Sequence, residues 1–240
     1  MKNDKKGDNM RLDKFITSVL NVSRQEAKKI IKSKKVTVND VINTNSDYFV
    51  SENDIVKYGE DNLIYKENIY IMMNKPKGYV CANVDNVHKT VFDLIDQKKY
   101  NIKNLFTVGR LDVDTTGLLL ITSDGALAHK LTSPKNNINK VYFVKCDKDF
   151  PDNTNEILEK GVLVKDKDGE EYLSKPSSFE KTKSNEGYIT VSEGKFHEVK
   201  RLCLSLGLKV TSLHRVKIGN IVLDDSLNIG EYKEINEIKL

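Results

Sequence analysis

The stretch Thr107-Val108-Gly109-Arg110-Leu111-Asp112-Val113-Asp114-Thr115-Thr116-Gly117-Leu118-Leu119-Leu120-Ile121-Thr122-Ser123-Asp124-Gly125 joins a charged patch directly to a leucine-rich run that ends in Asp-Gly. The apolar run reads as a buried strand and the Asp-Gly pair as its exit turn. Arg110, Asp112 and Asp114 stand at the entrance to that strand. A carboxylate in such a place is costly to desolvate, so a fold keeps it mainly where it is paired or used. On the residues alone, the patch is either a charged turn ahead of a core strand or a site whose carboxylate acts.

The chain around this stretch has 240 residues, enough for one large domain or for a small one joined to a medium one. With 38% hydrophobic and 31% charged residues, it has the composition of a globular protein and not of a membrane protein or a disordered tail. No apolar stretch approaches the roughly 20 residues that span a bilayer. Residues 1–9 are polar and charged and lack the apolar core of a signal peptide; they are expected to be disordered and dispensable. Cys81, Cys146 and Cys203 lie far apart and form no C-x-x-C pair, so they read as reduced thiols in the cytoplasm. The four histidines are equally scattered, and nothing resembles a metal site.

Charge is unevenly distributed. Up to Tyr58 there are 12 Lys and Arg against 8 Asp and Glu, while the remainder holds 27 of each sign, so the whole net charge of +4 sits on the first quarter. A local excess of this kind attracts polyanions, although a solvated lysine-rich face gives the same count. Within that quarter Leu12, Phe15, Ile16, Val19 and Leu20 make the stripe of an amphipathic helix. After a break at Asn21-Val22, Ser23-Arg24-Gln25-Glu26 fits a capping box for a second helix. That helix turns Ala27, Ile30 and Ile31 inward and Arg24, Lys28, Lys29 and Lys32 outward. Val36-Thr37-Val38-Asn39 then alternates like a strand and turns at Asn39-Asp40. Residues 59–67 are polar and irregular and read as a linker. Beyond them, Ile69 to Asn74 reads as a buried strand ended by Lys75-Pro76-Lys77-Gly78. Asp93 to Gln97 suggests a short helix. Asn139 to Val144 alternates like a strand, and Leu202, Cys203 and Leu206 give a helix its apolar face.

The order Arg-Leu-Asp-Lys-Phe from Arg11, Ser-Arg-x-Glu-Ala from Ser23 and Val-x-Val-Asn from Val36 resembles the S4 RNA-binding module, over residues 10–58. Many such modules carry Gly where this chain has Asp40, which also tolerates the turn. The resemblance implies that Arg11, Lys14, Arg24, Lys28, Lys29 and Lys32 contact RNA. The opening stretch, with its Gly-Arg-Leu-Asp, Thr-Thr-Gly and leucine pattern, resembles the catalytic motif of the pseudouridine synthases. So do Asn74-Lys75-Pro76-Lys77-Gly78, Lys140-Val141-Tyr142, and the block from Ser192 through Lys200-Arg201. His197 with Lys200, and Leu213-His214-Arg215-Val216-Lys217-Ile218-Gly219, place the likeness with the RsuA-type rRNA synthases. Glu198 departs from the usual Gln.

The resemblance implies an α+β chain: a small S4 domain (10–58), a linker (59–67) and a catalytic domain (68–240) on a mixed, mostly antiparallel sheet. It implies cofactor-independent isomerisation of a uridine to pseudouridine in small-subunit (16S) ribosomal RNA. Asp112 is then the nucleophile and Tyr142 the aromatic on which the base stacks. Lys200 is the cation that keeps Asp112 ionised; Arg201, which follows it, is expected to help hold Asp112 and to contact RNA, and Arg110 fills the stack left by the flipped base. Asp114, two residues on, would share the face of Asp112 if the segment were extended, and a structural or turn role is expected of it. No metal or membrane is expected, and the protein is expected to work in the cytoplasm as a monomer. The competing readings are a large-subunit rRNA synthase, a non-catalytic rRNA-binding assembly factor and a base-excising glycosylase.

Overall fold

Ser23 and Glu26 satisfy each other's backbone: the Glu26 amide donates to Ser23 Oγ at 3.3 Å and the Ser23 amide to Glu26 Oε2 at 2.8 Å. This reciprocal cap fixes the start of the second of two short helices, α1 (Leu12–Leu20) and α2 (Arg24–Lys32). The computed structural model describes residues 9–97, 99–166, 168–236 and 238, so residues 1–8 of the polar N-terminal tail lie outside the described residues. The inward stripes of both helices meet in one core, where Leu12, Ile16, Ala27 and Ile31 are fully buried against Val36, Val38, Val50 and Val56. Each large aliphatic side chain there contributes roughly 1.5–3 kcal/mol through burial.

A four-stranded antiparallel sheet completes this unit, with β1 (Val36–Val38), β2 (Val41–Ile42), β3 (Val56–Tyr58) and β4 (Asp61–Leu63) in the order β2-β1-β3-β4. The β1–β2 turn holds Asn39 and Asp40 at φ 52° and 63°, the left-handed pair that a tight hairpin needs. Strand β4 corrects the expectation of a linker over 59–67. Gly59, at φ 62°, turns the chain back, and 61–63 pair with β3 in the same sheet. The exposed polar residues Asp61 and Asn62 hid a strand that is held by pairing with β3 and by Leu63 packed against the core.

Asp13 is a buried charge that no periodicity marked. Its carboxylate is fully enclosed and accepts from Arg11 Nε and Nη2 at 3.1 and 3.0 Å and from Arg24 Nε at 3.1 Å. Arg11 also pairs with Asp47. The bond from Arg11 leads in lowering the Asp13 pKa from 3.8 to about 2; burial opposes it and Arg24 adds to it. A depressed carboxylate contributes stability above its unfolded pKa and loses it as pH falls through the folded value. That contribution, about 2 kcal/mol, is therefore complete above a pH of about 4 and gone below about 2. In thermal melts between pH 6 and pH 2, wild type should lose this increment in that window. Asp13→Asn should lack it at neutral pH and show a shallower acid slope.

The second unit comprises 68–96 and 102–240, with 97–101 grouped with the first. It is built on a nine-stranded sheet. The main path uses β5 (Tyr70–Lys75), β6 (Thr116–Thr122), β7 (Lys140–Cys146), β8 (Ser178–Lys183), β9 (Glu186–Val191), β10 (Val210–Ile218) and β11 (Tyr232–Glu234), in the order β8-β9-β7-β10-β6-β5-β11. Among the described residues, only β6 and β10 pair in parallel in this sheet, so it is mixed and mostly antiparallel. Strands β5 and β6 are buried on both faces, which explains their unbroken apolar runs. Asp124 receives the Leu127 amide at 2.9 Å and so starts α3 (Gly125–Thr132) where the sequence leaves the strand through Asp-Gly. The short helix expected over 93–97 is instead a 3-10 turn at Val91–Leu94. Asp93 closes that turn from within by accepting the Thr90 amide at 2.7 Å, so it does not open a helix.

Candidate active site

The parallel pairing of β6 with β10 is close: it sets His214 opposite Thr116 and Arg215 opposite Gly117. Gly117 has φ 100°, and a Cβ there would lie 2.3 Å from the Arg215 carbonyl oxygen, so only glycine permits the approach. On the other side of β10, β7 brings Tyr142 opposite Arg215. Tyr142 lies on the inward face of β7 with Val144, and its side chain is buried. Helix α4 (Glu198–Ser205) presents Lys200 from its first turn.

Asp112 sits at the head of a turn in which the Thr115 amide donates to the Asp112 carbonyl at 3.1 Å. Lys200 Nζ donates to Asp112 Oδ2 at 2.9 Å and to Asp114 Oδ1 at 2.7 Å. The segment is a turn and not an extended run, and one ammonium bridges its two carboxylates. Burial acts most strongly on the Asp114 carboxylate, but the Lys200 bond and charge, with smaller contributions from a backbone amide and His197, together outweigh it and hold its pKa below the ordinary range. Burial also acts against Lys200; the two carboxylates more than offset it and raise its pKa. His197 Nε2 is 3.6 Å from Asp112 Oδ2, and its ring stacks on Phe196 at 3.7 Å.

A buried lysine holds the turn from behind. Lys75, at the end of β5, is fully enclosed, and its Nζ donates to the carbonyls of Pro76, Asp112 and Thr115 at 3.1, 3.0 and 2.9 Å. Burial leads in lowering its pKa. The sequence pointed to this residue as part of a turn and of the Asn-Lys-Pro-x-Gly signature that the resemblance marks as supporting the site, not as a buried donor. Its signal was a cation closing an otherwise apolar buried run.

Asp112, Arg110, Tyr142, Lys140, Glu198 and Arg215 border one cavity of about 160 Å³, several times the roughly 30 Å³ share of a water molecule. Arg110 is exposed at its edge. Glu198 accepts the Gly194 amide at 2.6 Å, tying the Glu193-Gly194 turn to α4, and burial raises its pKa. Arg201, expected beside Lys200, instead stacks over the Phe196 ring at 5.4 Å, because consecutive helical residues point about 100° apart. Among the described residues, no group of three or more His, Cys, Asp or Glu side chains could hold a metal ion.

In the first unit, Lys14, Lys28, Lys29 and Lys32 are exposed on α1 and α2, and Lys28 and Lys32 lie one turn apart. Arg11 and Arg24 direct donors to Asp13. No described helix is long and apolar enough to cross a membrane.

Comparison with known proteins gives a consistent result. The family model described as RNA pseudouridylate synthase matches residues 69–205, and the S4 domain model matches residues 10–56. The chain is 40% identical over 228 residues to "Ribosomal small subunit pseudouridine synthase A" of Vibrio cholerae, covering 95% of this chain and 96% of that protein. To the protein of the same name from Escherichia coli (strain K12) it is 39% identical over 229 residues, covering 95% and 97%. A solved structure, "Crystal structure of pseudouridylate synthase", matches with a TM-score of 0.66 at 37% identity, covering 95% of this chain and 96% of that one.

Proposed function

The chain belongs to the RNA pseudouridylate synthase family and carries an S4 domain, and from that premise we propose that it isomerises a uridine of small-subunit (16S) ribosomal RNA in the cytoplasm. The observation that carries the reading is the Lys200–Asp112 contact at 2.9 Å on the rim of a cavity bordered by Tyr142, in a chain that aligns almost end to end with small-subunit synthases.

The target uridine leaves its stack and enters the cavity, and Arg110 at the edge fills the gap. Stacking on Tyr142 returns about 1–3 kcal/mol of the few kcal/mol that extraction costs. Asp112, paired with Lys200, supplies the nucleophile that assists C1′–N1 cleavage. The base turns and C5 bonds to C1′ while its proton leaves. A small-subunit rRNA transcript labelled with tritium at uridine C5 tests this: label should pass into water with wild type. Retention of all label on both free rRNA and immature subunits would contradict it.

The S4 domain holds the RNA through phosphates, using Lys14, Lys28, Lys29 and Lys32, while Arg11 and Arg24 act mainly through Asp13. Four phosphate contacts contribute about 0.7–0.9 each to the slope of log affinity against log salt. Changing all four lysines to Gln should therefore flatten that slope by about 3 in filter-binding titrations and leave turnover at saturating RNA near wild type.

A further inference from the structure

Of the cations at the cavity and behind it, Arg110 and Lys195 are exposed at the edge, and Lys75, Lys140 and Lys200 have their donors committed. Lys75 donates to three carbonyls, Lys200 to two carboxylates, and Lys140 Nζ to the carbonyls of Ile138 and Glu193 at 3.0 and 3.1 Å. Arg215 is different. It is 2% exposed, its Nε donates to the Leu118 carbonyl at 2.8 Å, and its Nη2 is buried without a hydrogen-bond partner. The guanidinium borders the cavity 6.0 Å from the centre of the Tyr142 ring, and among the described residues no carboxylate pairs with it. A buried arginine with an idle donor needs an explanation, because folded proteins satisfy nearly all such groups.

We propose that Arg215 binds the extracted uracil, donating to a ring carbonyl oxygen and stabilising the negative charge that the ring carries once the C1′–N1 bond has broken. This rests on the synthase reading above. Cleavage sends the bonding pair to N1, and the charge spreads onto O2 and O4. C5 then bonds to C1′, the C5 proton leaves and N1 takes up a proton, so the step is redox-neutral. A charge that exists only in mid-reaction is where a preorganised donor in a water-poor site has its largest effect. The placement suits this task. Arg215 is fixed to β6 through Leu118 and set across the strand from Tyr142, so the group that stacks the ring and the group that receives its charge share one rigid frame.

The test pairs protein and substrate changes under single-turnover conditions. Small-subunit rRNA is transcribed with uridine, with 2-thiouridine or with 4-thiouridine throughout, and wild type is compared with Arg215→Gln and Arg215→Lys. Filter binding and melting curves are measured in parallel. On uridine RNA, Arg215→Gln should lower the rate by about 10²-fold or more with RNA affinity unchanged, and Arg215→Lys should recover part of it. One of the two thio substitutions should slow wild type and leave Arg215→Gln almost unaffected, since the bond it weakens is already gone. If Arg215→Gln and wild type slow by the same factor on both thio RNAs, Arg215 does not touch the base and the proposal fails. If Arg215→Gln does not fold, the wild-type comparison decides: indifference to both sulfur substitutions overturns it. Absence of pseudouridine with wild type on uridine RNA would instead overturn the synthase reading itself.

Discussion

Replacing Asp112 by Asn should lower pseudouridine formation by about 10⁴-fold or more while leaving RNA binding unchanged. The substitution is close to isosteric, and the side chain is only partly buried at 25% exposure, so folding should tolerate it. Lys200 keeps its bond to Asp114 at 2.7 Å, so no buried cation is stranded. What disappears is the negative charge and lone-pair nucleophilicity at one position on the cavity edge. An amide cannot replace either, and nearby Asp114 does not border the cavity. Single-turnover assays beside melting curves separate this from misfolding: the rate should collapse while the melting temperature stays within a few degrees. A rate within tenfold of wild type would remove Asp112 from the reaction.

Lys75→Met should cost both stability and rate, which is the mark of a group that holds a reacting residue from below. The methionine fills most of the lysine stem's volume, but the carbonyls of Pro76, Asp112 and Thr115 lose their donor in the interior. An unsatisfied buried acceptor costs about 1–3 kcal/mol, and no longer burying an ammonium offsets part of the sum. A net loss of about 3 kcal/mol, or about 6–12 °C in melting temperature for a chain of this size, is expected. The Asp112 turn is then no longer held to the end of β5. A displacement of about 1 Å at the nucleophile lowers the rate by about 10²-fold even at temperatures where the variant is folded. The exposed neighbour Lys77 is the control: Lys77→Met should change neither quantity.

Local patterns carried most of the fold. The helices of the first unit were legible because their stripes and the Ser23–Glu26 cap are short-range features. The β6 strand was legible because its run is apolar on both faces. What escaped depends on contacts that the side-chain pattern does not display. Strand β4 opens on the polar pair Asp61-Asn62 and follows β3 through a tight turn at Gly59. Asp13 reads as an ordinary helix-front acid until Arg24, eleven residues on, folds over it. In the site, the family resemblance singled out Asp112, Tyr142 and Lys200; Asp112 and Tyr142 border one cavity, and Lys200 bonds Asp112 beside it. Arg201, expected to help Lys200 hold Asp112 or to contact RNA, is turned by helical geometry onto Phe196. Lys75 and Arg215 were on the page as members of motifs, but their importance lies in what encloses them. Sequence spacing does not report burial of a cation or a donor left over.

The most direct test of the central claim is carbodiimide primer extension over small-subunit rRNA, as free RNA and as immature subunits, after incubation with wild type and with Asp112→Asn. The account predicts one new stop with wild type, at a single uridine, that is absent with the variant. No stop in either substrate, with tight RNA binding retained, would contradict it and leave an RNA-binding protein on a synthase fold.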